Sequence, residues 1–254
     1  MADSFVPLAV PPAVPPVPPD SASSPSPAAL VTRTGSAEAL LLGLVDHLAT
    51  ALGDAPSRLV VGLAGAPGSG KSTLATRLQE LLAQRGLLAG TVPMDGFHLS
   101  NAVLDALGRH DRKGAPDTFD VEGLLATLDR VRSPDLPEVL APVYRRDLHE
   151  PVAAGTLVSG PGAVVTEGNY LALGSHGWQE VRTRIDLLVF LEVPEEELAA
   201  RLVARHQDFG RSAADAGHWV RTVDLPNARL VAASASRCHE LWRLATTSST
   251  PPDQ

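Results

Sequence analysis

The chain has 254 residues, 44% hydrophobic and 20% charged, with a formal net charge of −8. That composition suits a folded domain with a sizeable core, and its acidity argues against a nucleic-acid partner, which calls for a basic face. A single cysteine, Cys238, excludes a disulfide frame and a zinc cluster. No apolar run is long enough to span a bilayer, so no membrane partner and a cytoplasmic location are expected.

Nine prolines occur by position 27, with Ser and Ala between them. Such a stretch cannot pair in a sheet and buries little, so residues 1–35 are expected to be a disordered, Pro-rich tail of polyproline II character. Its Pro-x-x-Pro spacings suit an SH3-like module, but the tail is read as passive. A folded unit is then expected over residues 36–245, with residues 246–254 as a frayed end. Ser36 reads as the N-cap of a helix that carries Leu40, Leu41, Leu44, Val45, Leu48 and Leu52 along one face.

Arg58 to Ala64 is a short apolar run suited to a buried parallel strand. It leads into Gly65-Ala66-Pro67-Gly68-Ser69-Gly70-Lys71-Ser72-Thr73, which matches the phosphate-binding pattern G-x-x-x-x-G-K-[ST]. In that pattern backbone N–H groups curl around a phosphate chain, the lysine reaches the β- and γ-phosphates, and the Ser72 hydroxyl ligates Mg²⁺. Leu74, Leu78, Leu81 and Leu82 then recur at helical spacing as far as Gly86, a C-cap signal. The helix N-terminus faces the phosphates, where its dipole is favourable. Of only two lysines in the chain, Lys71 and Lys113, one stands where this loop needs it.

Leu87 to Met94 is a second apolar run, and it ends in Asp95-Gly96-Phe97-His98. A carboxylate at a strand end, in the crevice of the phosphate loop, is placed to orient and deprotonate a hydroxyl. Ser100 caps a short helix to about Leu107, and Asp120 caps one bearing Leu124, Leu125 and Leu128. Ala141 to His149 reads as a strand and turn. Gly162 to Gly168 is an apolar strand that delivers Glu167, the geometry in which an acid binds Mg²⁺ directly or through water. After the strand Asp186–Val193, a helix starts with Pro194 at its first position and glutamates in its first turn. Arg201 and Arg205 share a face of that helix and, with Arg211 beyond it, read as a lid over ATP. A last helix is expected from Ala213 to Leu244, interrupted at Pro226.

Taken together, these motifs resemble the phosphoribulokinase/uridine kinase family of P-loop kinases, which includes a bacterial pantothenate kinase type. Asp95-Gly96-Phe97-His98 is similar to the family's D-[SG]-F-[HY], and Lys113-Gly-Ala-Pro-Asp-Thr-Phe-Asp120 to the pantothenate kinase K-G-x-P-[DE]-S-[YF]-D. Pro142-Val143-Tyr144 resembles an element lining the acceptor pocket, and Glu167-Gly168 the family's E-G after a strand. Tyr144 is followed by Arg145-Arg146 where uridine kinases carry Asp-His, which speaks against uridine. Trp219-Val220 and Asp224-x-Pro226-Asn227 also recur in a bacterial branch of the family.

The resemblance implies a three-layer α/β/α fold with a mostly parallel five-stranded sheet in the order 2-3-1-4-5 and a small lid. It implies transfer of the ATP γ-phosphoryl group to a hydroxyl of a small metabolite, with ATP and Mg²⁺ as cofactors. Asp95, Lys71 and Arg205 are the expected catalytic residues, and the phosphate loop with Arg201 and Arg211 the expected nucleotide site. Ser72 and Glu167 are expected at the metal, and Phe97, His98, Tyr144, Arg145 and Arg146 at the acceptor. With His98, Arg109, Arg112, Tyr144, Arg145, Arg146 and His149 supplying a surplus of hydrogen-bond donors to the expected acceptor wall, and 4% aromatic residues in the chain, an anionic or sugar-like acceptor is expected over a nucleoside. The oligomeric state stays open, with a homodimer as the option carried. No N-K-x-D motif for reading guanine is present, so a GTPase is excluded, and nothing marks a mechanical ATPase. A catalytically silent nucleotide-binding regulator is the remaining rival.

Overall fold

The computed structural model describes residues 30–53 and 57–245. In chain order these form β1 (Val31–Gly35), α1 (Ala37–Leu52), β2 (Arg58–Gly65), α2 (Lys71–Gln84), β3 (Leu88–Thr91), α3 (Asn101–Ala106) and α4 (Val121–Arg132). The hairpin β4 (Glu138–Arg145) and β5 (Glu150–Ser159) follows, then β6 (Gly162–Gly168), α5 (Trp178–Thr183), β7 (Leu187–Glu192), α6 (Glu195–Asp208), α7 (Ala213–Trp219), α8 (Leu225–Ala232) and β8 (Glu240–Leu244). The local signals act as expected. The Ser36, Ser100 and Asp120 side chains each accept a backbone N–H of the helix they open, and past α2 the Leu87 N–H reaches back to the Leu82 carbonyl at 2.8 Å. Pro194 stands at the N-cap of α6, one place earlier than expected.

The main sheet has six strands in the order β1-β8-β7-β2-β6-β3, every pairing parallel. Without β1 this is the expected five-strand order, read from the far edge. Successive residues of the central strands face opposite layers, as the period of two requires. Val61, Val165 and Val189 pack with Leu41, Leu48, Leu74 and Leu78 of α1 and α2. Val60, Val164 and Leu188 pack with Leu124, Leu128 and Trp178 of α4 and α5.

Two expectations are corrected at the sheet edge. The tail does not run to residue 35: Val31–Gly35 is a strand, with Val31 in register with Glu240 and Gly35 with Leu244. The remainder of that expected tail, residues 1–29, lies outside the described residues, as do residues 246–254. The last helix does not reach Leu244 either. It runs through α7, a π-helical stretch Val220–Asp224 and α8, and the chain then re-enters the sheet as β8, with Leu241 and Trp242 buried. Pro226 is carried inside the helix because the π stretch has widened the turn just before it, where the Leu225 N–H bonds to the Val220 carbonyl.

Candidate active site

The phosphate loop bridges β2 and α2 at the C-terminal edge of the sheet. Gly70 is the N-cap of α2 and holds φ 91°, a left-handed conformation that a residue with a Cβ adopts only under strain. Lys71 and Ser72 are the first two residues of the helix. The Ser72 hydroxyl donates to Glu167 Oε2 at 3.2 Å, which brings the two expected metal-site residues together. Their oxygens fit one Mg²⁺. Among the described residues no cluster of three acidic, His or Cys side chains is placed to hold a metal ion.

Close backbone approach assembles the other half of the site. Met94–Phe97 is a 3-10 turn, in which residues three apart eclipse. Asp95 and His98 therefore share a side and line one cavity of about 480 Å³ with Lys71 and Ser72. Phe97, between them, turns into the core and does not line it, which corrects its expected place at the acceptor. A Cβ on Gly96 would lie 2.6 Å from the Pro142 carbonyl carbon and nearer still to its oxygen, and one on Gly168 would overlap the Met94 side chain. These two glycines seat the turn carrying Asp95 against both the β4–β5 hairpin and the end of β6.

The hairpin brings Tyr144, Arg146 and His149 to the cavity. Tyr144 lies near the end of β4 and Arg146 is the first residue of the turn that follows. Arg145, the last residue of the strand, pairs with Asp147 at 2.7 Å and does not line the cavity, so its expected acceptor role is corrected by that pairing. Arg146 has no ion-pair partner among the described residues. Lys113 joins this wall without having been singled out as a site residue: its ammonium donates to Asn101 Oδ1 at 2.6 Å and the His149 carbonyl at 2.7 Å, over the Tyr144 ring. Arg109 and Arg112 are instead occupied by Asp117.

From the lid side, Arg205 lines the cavity, whereas Arg201 donates to the Gly68 and Ser69 carbonyls at 3.2 and 3.3 Å and pairs with Glu197. Arg211 lies over the Trp219 ring, 4.2 Å from its centroid, outside the cavity. A second cavity of about 640 Å³ opens beside the loop, bounded by Ser69, Pro194, Arg201, Arg243 and Leu244.

Burial governs the charges. Lys71 is held below the ordinary lysine value by desolvation, opposed by Glu167 and Asp95. Glu167 is pushed up by burial, opposed by Lys71. Both shifts have the sign of a cation and an acid confined where water is scarce and more counter-charge is wanted. Burial also lowers His98, whose Nδ1 lies 2.8 Å from the Asp95 carbonyl oxygen.

The low aromatic content misled in one respect. The few aromatic rings gather here: His98 lies 4.1 Å from Phe119 and 4.8 Å from Tyr144, and Phe119 lies 5.7 Å from Tyr170, centroid to centroid. The wall thus offers ring faces as well as cations. Asn169, His206, Trp219, Asp224 and Asn227 also line the cavity. Of these, Trp219, Asp224 and Asn227 stand in the recurring Trp219-Val220 and Asp224-x-Pro226-Asn227 motifs, and Asn169 follows Glu167-Gly168 in a segment similar to the pantothenate kinase version; His206 carries no such signal.

Residues 61–215 match a family model described as an AAA domain. The uncharacterised protein YggC of Escherichia coli is 38% identical over 176 residues, 68% of this chain and 73% of that protein. A solved structure from Silicibacter, provisionally named a fructose transport system kinase, is 37% identical with a TM-score of 0.73 and covers 82% of this chain and 99% of its own. A pantothenate kinase of Enterococcus faecalis is 33% identical over 137 residues, 52% of this chain and 44% of that enzyme.

Proposed function

The chain belongs to the AAA-domain family, and from that premise we propose that it is a P-loop kinase of the phosphoribulokinase/uridine kinase type, which phosphorylates a hydroxyl of a small anionic or sugar-like metabolite with ATP. The observation that carries this reading is the convergence of Lys71, Ser72 and Asp95 on one cavity, with Glu167 bonded to the Ser72 hydroxyl. A phosphate loop alone serves many ends; a carboxylate opposite it, in a wall able to hold a second small molecule, suits transfer to that molecule.

In the proposed reaction the acceptor hydroxyl oxygen forms a bond to the γ-phosphorus. The bond from that phosphorus to the β–γ bridging oxygen breaks, ADP leaves with the electron pair, and the hydroxyl proton passes to Asp95. Lys71 and Arg205 balance charge on the phosphoryl oxygens in a site where burial strengthens such contacts. Mg²⁺, held by Ser72 and Glu167, would neutralise further phosphate charge. The base and ribose of ATP are assigned to the second cavity, beside Arg201. The acceptor is assigned to the wall of Tyr144, Arg146, Lys113 and His98. A guanidinium without a protein partner suits a carboxylate or phosphate, and ring faces suit the C–H face of a sugar.

The relatives' names span pantothenate and a fructose transport system, so the test is a screen. Purified protein with Mg·ATP is assayed for ADP release over sugars, sugar phosphates, hydroxy acids, pantothenate and nucleosides. Acceptor-dependent release with an anionic or sugar-type compound supports the reading. Uridine or cytidine as best acceptor refutes the pocket assignment, and ATP binding with no acceptor-dependent release favours the silent regulator.

A further inference from the structure

One polar group in the cavity wall has no part in the reaction as set out. Among the described residues four buried side-chain atoms lack a hydrogen-bond partner: Ser69 Oγ, Thr166 Oγ1, Asn169 Oδ1 and Gln179 Oε1. Ser69 belongs to the phosphate loop, and Thr166 and Gln179 line neither cavity. Asn169 lines the acceptor cavity. Buried amide oxygens are nearly always paired, and one left without a partner beside a cavity marks a place where a ligand completes the bond.

The backbone around the amide is held on both sides. It follows Glu167 and Gly168, and Gly168 is wedged against Met94. Tyr170 comes next, buried, its hydroxyl donating to the Gly114 carbonyl at 2.7 Å. Two of the donors on the same wall are committed, Lys113 to Asn101 and His149, and His98 to the Asp95 carbonyl. An amide oxygen repels a carboxylate or phosphate and calls for an N–H or O–H donor. Exchanging the amide's O and N leaves a donor in the same place, and a hydroxyl satisfies either orientation because it both donates and accepts.

We infer that Asn169 determines acceptor specificity by bonding a second hydroxyl, near the one that is phosphorylated, so that the acceptor is a polyhydroxy compound. The inference rests on the kinase reading and narrows it. Asn169 shares its cavity with Asp95 and Ser72 and stands just past the end of β6, two residues beyond Glu167. That placement, on the wall that carries the base, suits a hydroxyl close to the reacting one. Anionic groups are left to Arg146 and Lys113, and the amide separates diols from mono-alcohols.

The test uses the full chain and Asn169→Ala, with Asn169→Ser as a smaller polar variant should the alanine protein fold poorly. In ligand-free thermal melts the variant is expected to match or exceed the wild type, because it loses an unpaired buried group. A drop of more than about 5 °C would mean that the amide is structural. ADP release is then measured with matched pairs: glycerate and 3-hydroxypropanoate, ribose and 2-deoxyribose, fructose and 3-deoxyfructose. The wild type is expected to favour the diol of the best pair by about tenfold or more in kcat/KM, and Asn169→Ala to shrink that ratio to a few-fold, chiefly through KM. Equal use of the deoxy partner, a ratio unchanged in the variant, or a change confined to the Mg²⁺ requirement overturns the inference. Normal Mg·ATP binding with no release for any pair also sinks it; failure to bind Mg·ATP sinks the kinase reading beneath it.

Discussion

Gly96→Ala tests how the site is held together without touching a reacting group. A Cβ there would lie 2.6 Å from the Pro142 carbonyl carbon, against the 3.5–4.0 Å at which carbon atoms rest, so turn and hairpin must part by roughly 1 Å. The obstacle is backbone, which no rotamer change relieves. Overpacking of this kind costs about 1–3 kcal/mol, or a fall in Tm of roughly 2–10 °C for a domain of this size. The same displacement falls on Asp95, and a misplacement of about 1 Å costs on the order of 10²-fold in turnover. Acceptor-dependent ADP release and a thermal melt measure the two effects, and calorimetry checks that Mg·ATP affinity is kept, since the phosphate loop does not meet Gly96. A variant with wild-type turnover and Tm would refute the packing of the Asp95 turn on the hairpin.

Lys71→Ala is expected to weaken Mg·ATP binding in calorimetry while the fold is retained; equal affinities would remove the lysine from the phosphate site. Asp95→Asn should lower turnover by roughly 10²–10⁴-fold with ATP affinity little changed, whereas Glu167→Gln should raise the Mg²⁺ concentration needed for half-maximal rate. Arg146→Ala should raise the acceptor KM and leave the ATP KM nearly alone, while Arg145→Ala, whose side chain is paired with Asp147 outside the cavity, should change neither; equal effects would refute the placement of the two arginines. Burial holds His98 below its ordinary value, so below about pH 6.5 the unfolded chain binds more protons than the folded one. Stability contributed by neutral His98 is lost as pH falls from there through the folded value. Glu167, pushed the other way, has the opposite sign but is common to both proteins compared. Melts between pH 7 and pH 5 should therefore show a shallower loss in His98→Gln than in the wild type, and parallel curves would contradict the burial argument.

Much of this molecule was legible along the chain because its signals are local. The strand, phosphate loop and helix from Arg58 to Gln84 are encoded within a few residues of one another, as are the caps at Ser36, Ser100 and Asp120. The carboxylates Asp95 and Glu167 could be picked out because each ends an apolar run. What those signals lack is information about the other side of a contact. Val31–Gly35 is polar and exposed, and Glu240–Leu244 follows a helix; each becomes a strand only through parallel pairing with residues distant in the chain. Arg145 and Arg146 are equal as letters, and only the fold separates them: Arg145 ends β4 and pairs with Asp147, while Arg146, the first residue of the turn, lines the cavity. The uses of Gly96 and Gly168 depend on Pro142 and Met94 standing against them, and Asn169 stands out only when its surroundings are counted and no partner is found. Periodicity and capping need a few neighbouring residues, so they are written in the sequence, whereas orientation and close approach belong to pairs of segments and exist only once the chain has folded.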